Sequence, residues 1–169
     1  MNKYFFQPEK KVMKQGFFMT DENQETVYEA KVLKQPLLGA ADVEFINHLT
    51  GKNEEHKVGH VVTIEEENNG FINLMSKKSY FKYDGKNIWD HLHDEGVRIE
   101  TGLADGKLGM SYAVTLKGND MAKISMSSPG GTSILASQFW LEVETEAEDL
   151  DLAFLTAYAI ARTEQIFYN

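Results

Sequence analysis

Along most of the chain, apolar positions recur with a period of two, in short runs rich in β-branched and aromatic residues that are broken at close intervals by turn chemistry. Residues 16–20 and 26–33 are two such runs. They flank the polar turn Asp21 to Gln24, where Asp and Asn bend the chain through side-chain to backbone bonds. Within the second run, Val27, Glu29, Lys31 and Leu33 alternate with Tyr28, Ala30 and Val32, which leaves one face mostly apolar. YFKYDGKNIW predicts a hairpin across Asp84-Gly85, a pair that accepts the positive φ a tight turn needs. LADGKL repeats the plan at Asp105-Gly106, and Gly118-Asn119-Asp120 is expected to join strands over 110–116 and 121–127. With further runs at 43–47, 58–65, 70–76, 97–101 and 139–144, the pattern predicts roughly eleven to thirteen strands.

Only the last part of the chain changes period. Thr145-Glu146-Ala147-Glu148 has the form of a capping box, with Thr145 as N-cap, and predicts a helix over 145–167. Between Leu152 and Ala161 the one polar residue is Thr156, so the apolar surface runs around the whole circumference instead of along one stripe. Such a helix sits inside something apolar. Its uninterrupted stretch of ten residues is about 15 Å long, half of the about 30 Å of a bilayer core. Extending it would carry Asp149, Asp151, Arg162 and Glu164 into hydrocarbon. The expectation is therefore a helix inside its own protein, with no transmembrane span. A barrel of about eight strands is filled by its own side chains, whereas about eleven leave room for a central helix. Ala153, Ala157 and Ala161 thin one side of that helix, so that a wall of strands can approach it closely.

No linker, charge block or fixed-period repeat divides the 169 residues, which predicts a single domain, 1–169. The formal charge of -9 opposes binding to nucleic acid or to anionic lipid through a general basic footprint. Cysteine is absent, which removes disulfides and thiolate chemistry. At the N-terminus, the apolar run Tyr4 to Phe6 is too short for the core of a secretory signal. Together these predict a cytoplasmic protein.

Three segments carry a family likeness: DxNxxxVY at Asp21, Asn23, Val27 and Tyr28; YDGKxIW from Tyr83 to Trp89; and the closing helix from Leu150 to Phe167. In these and in the order of its elements, the chain resembles the tubby C-terminal-like superfamily, and most nearly its bacterial LURP-one-related type. The resemblance implies a mainly β fold, a closed antiparallel barrel of about twelve strands around a hydrophobic C-terminal helix. It also implies binding. Tubby domains hold phosphoinositide head groups through lysine and arginine, and phospholipid scramblases share the fold, although none of those basic positions can be matched to residues here.

Local chemistry offers two candidates. KKSYFKYDGK interleaves Lys77, Lys78, Lys82 and Lys86 with Tyr80, Phe81 and Tyr83; on a strand Lys78, Tyr80 and Lys82 share a face, a landing for an anionic group beside a ring. The bland alternative is a lysine-protected strand edge. His91 and His93, two apart and followed by Asp94, would project together from a strand as weak metal candidates, but spacing indicates no further ligand. Ser111 within Gly109 to Ala113 lacks the strand-to-helix turn of a nucleophile elbow. Nothing in the sequence signals a cofactor. The leading expectation is a non-enzymatic binding or scaffold domain for an anionic or phospholipid-like small molecule or a protein partner. Two other classes stay open: a metal-dependent small enzyme using His91 and His93, and a scramblase-like membrane-associated protein.

Overall fold

The computed structural model describes residues 1–9, 16–34, 40–49, 58–67, 80–103, 110–127 and 140–164. Eleven strands form one antiparallel sheet: β1 (Asn2–Pro8), β2 (Phe17–Thr20), β3 (Thr26–Lys34), β4 (Ala40–Asn47), β5 (Val58–Glu67), β6 (Tyr80–Tyr83), β7 (Lys86–Asn87), β8 (Val97–Leu103), β9 (Met110–Leu116), β10 (Asn119–Ser127) and β11 (Trp140–Thr145). Two helices complete it, α1 (Ile88–Asp94) and α2 (Leu150–Glu164). The expected strand over 70–76, the Asp105-Gly106 turn and the last residues of the C-terminal helix, 165–167, lie outside the described residues.

Alternation places the core as the sequence suggests. In β1, Tyr4 and Phe6 are buried, and in β11, Leu141 and Val143 are buried between half-buried Glu142 and Glu144. Asp84 and Gly85 take φ of 53° and 84° and close the β6–β7 hairpin. The next turn falls one residue earlier than expected. Lys117 and Gly118 hold the positive φ, and Asn119 already pairs with Leu116. At Asp21 the carboxylate accepts from the backbone N–H groups of Asn23 and Glu25, the local bonding that makes Asp a turn residue.

The order of strands is β7-β6-β5-β4-β3-β2-β1-β11-β10-β9-β8. Its two ends are neighbours in sequence, joined by α1. The expected closure of the barrel by strand pairing is not made among the described residues, because α1 lies between β7 and β8 and packs against β6, β7, β8 and α2. IWDHLHD was expected as a strand or polar loop, yet its Ile88 and Leu92, four apart, are buried on one side of a helix. Asn87 caps that helix by accepting from the Trp89 N–H at 2.9 Å. Gly96, at φ 94°, ends it, and its N–H reaches the His93 carbonyl.

The start of α2 also departs from expectation. Thr145 is not its N-cap: the hydroxyl donates 2.9 Å across the sheet to the Met121 carbonyl, and Thr145 ends β11. A 3-10 turn over Ala147–Asp149 leads into the helix instead. From Ala153 to Ala161 every residue of α2 is buried. Phe154 meets Phe6, Tyr28 and Phe45, and Tyr158 meets Phe17, Phe45 and Phe81, so strands from β1 to β6 contribute rings to one flank. At 100° per residue, Ala153, Ala157 and Ala161 lie beside that flank. β10 and β11 approach α2 closely, as the thin alanine side permits. At the helix start, Asn47 donates to Asp151 at 3.2 Å, and Tyr28 also bonds that carboxylate. No helix among the described residues is long and apolar enough to cross a membrane.

Candidate functional site

Where strand pairing stops, a cavity of about 370 Å3 opens between α1, β8, β9 and α2. Each wall follows from local pattern. β8 turns Val97, Ile99 and Thr101 inward because alternate residues share a face. β9 brings the buried Tyr112, α1 brings Leu92 and Trp89, and α2 brings Ile160 from the side away from its rings. The Trp89 indole N–H donates to the Thr163 hydroxyl at 3.1 Å, which ties α1 to the end of α2 and fixes the ring at the cavity.

Polar groups are few and sit at the rim. Arg98 leaves the opposite face of β8 and bends over that terminal strand, where its Nη1 donates to the His93 carbonyl at 3.0 Å and to the Val97 carbonyl at 2.9 Å. The first of these carbonyls lies in the last turn of α1 and also accepts from the Gly96 N–H, so the arginine is its second donor. Two bonds use both hydrogens of Nη1. Among the described residues no carboxylate lies within ion-pair reach of Arg98, whose positive charge therefore stands uncompensated beside an apolar hollow.

Of the lysine patch, Lys82 on β6 and Lys86 on β7 are among the described residues. Lys77 and Lys78 lie outside the described residues, as does the side chain of Tyr80. Lys82 pairs with Asn87, and Lys86 with Tyr83, so the two described lysines stand on opposite faces of the β6–β7 hairpin. Lys86 is held in an ion pair by Asp94, which takes both groups away from an added ligand. On β6, Lys82 lies across from Glu65.

The histidine pair is separated by its helix. Residues two apart on a strand project together, but on α1 they are turned about 200° from one another. His91 packs its ring 4.7 Å from that of Tyr83, while exposed His93 faces the other way. Among the described residues no cluster of three or more His, Asp or Glu is placed to hold a metal ion. Tyr83 is bonded to His60 Nε2 at 3.1 Å. Burial first, and then Asp84, Asp151 and Glu95, push its phenol up to about 12. Ser111 sits within β9 with no helix following.

Of the cavity residues, only His93, as a metal candidate, and Trp89, as the end of YDGKxIW, were singled out by sequence reasoning. Ile88 and Leu92 at helical spacing after Asn87 were the available signal, since a helix at that point interrupts the strand order. Set against protein-family models, curated proteins and solved structures, the chain matches none of them, and the site rests on its geometry.

Proposed function

We propose that the protein is a non-enzymatic binding domain whose ligand is a small, largely apolar molecule held in the cavity between α1, β8, β9 and α2. The observation that carries this reading is the hollow itself. Protein interiors are filled to crystal-like density, and a concave, mostly apolar space with a few polar groups at its rim is the usual form of a ligand site. Its volume of about 370 Å3 is within the range of such sites.

The tubby-like architecture belongs to the same proposal. In it the sheet curls around α2 as a barrel, and α1 takes the place of the final stave. The burial of α2 on every side from Ala153 to Ala161 supports this arrangement, as does the covalent link that α1 makes between the two ends of the strand order. A barrel interrupted in this way has an entrance in its side wall, which a fully paired one lacks.

Native mass spectrometry of protein taken from its own cells tests the reading. A retained small molecule is expected, and less of it should be retained by the Ile160→Phe variant, whose larger side chain intrudes on the cavity. Bare polypeptide from the cells, together with no thermal stabilisation by any of a panel of small apolar compounds, would reject it.

A further inference from the structure

Beyond the existence of a ligand, the rim fixes what one end of it must be. We infer that the cavity binds a single-tailed amphipathic carboxylate, with its apolar body among Leu92, Val97, Ile99 and Ile160 and its carboxylate on Arg98; this rests on the cavity being a ligand site.

The guanidinium is held in one place. Its Nη1 is fixed by the His93 and Val97 carbonyls at 3.0 and 2.9 Å, and the two acceptors are neutral, so they orient the cation without neutralising it. A guanidinium has five N–H donors in a rigid plane. With Nη1 occupied, the Nε and Nη2 edge remains, and two parallel N–H groups on that edge match the two oxygens of a carboxylate. An unfilled apolar hollow and an oriented cation with an open edge thus lie side by side, in a protein whose net charge is -9. That overall charge repels anions from the surface at large, so an anion that binds needs a specific cation.

Size and charge narrow the class. At the roughly 30 Å3 that a water molecule takes up in the liquid, the cavity of about 370 Å3 holds about a dozen heavy-atom groups. That accommodates one medium-length tail. One cation with one open edge suits a monoanion. A phosphate monoester, carrying up to two charges, would call for a second fixed cation, and the described lysines on β6 and β7 are engaged elsewhere: Lys86 with Asp94, Lys82 on the opposite face of the hairpin.

Titration calorimetry at neutral pH and low salt, with decanoate, decanol, decyl phosphate and decyltrimethylammonium below their aggregation limits, separates the outcomes. Decanoate is expected to bind most tightly, at least about ten-fold better than decanol, as a charge-assisted bond requires. Arg98→Gln should remove that advantage while leaving decanol binding as it was. Ile160→Phe, or Thr101→Leu should the first variant fold poorly, should weaken binding of both. Equal binding of decanol and decanoate, both weakened by a cavity variant, would overturn the carboxylate and leave the ligand site standing. Tighter binding of decyl phosphate or of the ammonium compound would also overturn it. No binding by any of the four would overturn this inference together with the ligand site.

Discussion

Toward β1, β2, β3, β4 and β6 the C-terminal helix meets a cluster of interlocking rings, and toward α1, β8 and β9 it meets a hollow lined by aliphatic side chains with Trp89 and Tyr112. On the first flank Phe154 stacks on Tyr28 with centroids 4.2 Å apart, and Tyr158 stands edge-on to Phe17 and Phe45 at 5.4 Å from each. Arg162 adds a cation over Phe81 and Tyr158 at 5.6 and 5.8 Å from their centroids. On the second flank Ile160 borders about 370 Å3 of open space. Large planar side chains from several strands can close a layer only by interlocking, so each ring on the first flank constrains its neighbours. One flank specifies how the helix sits, and the other borders a hollow.

Removing a ring should break the first flank most severely. Phe154→Ala is expected to lower stability by about 3 to 5 kcal/mol in urea or guanidinium unfolding, because it deletes a fully buried ring with three aromatic neighbours. Adding volume on the alanine side comes next. Ala157→Leu should cost about 1 to 3 kcal/mol, since the side chain is completely buried. The same kind of enlargement one turn along the helix should be milder: Ile160→Phe is expected to change stability by less than about 1 kcal/mol, because Ile160 borders a hollow. If Ala157→Leu and Ile160→Phe cost the same, the contrast between the flanks is lost.

The mildest test is alkaline pH. The phenol of Tyr83 is held at about 12, and that of Tyr28 is raised as well, chiefly by burial. An unfolded tyrosine ionises near 10. Between those values the unfolded chain gives up a proton that the folded chain keeps, so stability is intact below about 10 and falls as pH rises through about 12. Tyr83→Phe should flatten part of that fall. Phenolate absorbance, followed alongside unfolding, checks whether the two changes coincide.

The sheet was legible because alternation is a local signal. In β3 the run from Val27 to Leu33 shows its buried face in sequence alone, and Asp84-Gly85 declares its turn through the φ it can accept. The buried helix was legible for the opposite reason, having no polar face at all. Its beginning was not, because a capping box is also a Thr and a Glu with other uses, and Thr145 found a better acceptor in the Met121 carbonyl of the neighbouring strand. In α1 two histidines drew attention to a metal reading, while the informative residues were the apolar pair Ile88 and Leu92. Arg98 could not have been found by pattern. On β8 it alternates outward like Glu100, and only the position of β8 at the end of the strand order lets its side chain turn back over the rim.

Placing α1 at the break in the sheet also bears on how copies of this protein treat one another. A terminal strand offers unpaired backbone groups, and these recruit strands from other molecules. Here both terminal strands, β7 and β8, lie against the same short helix of their own chain. Loosening that helix would do more than widen an entrance. It would uncover two strand margins at once, and self-association at high concentration is the expected result.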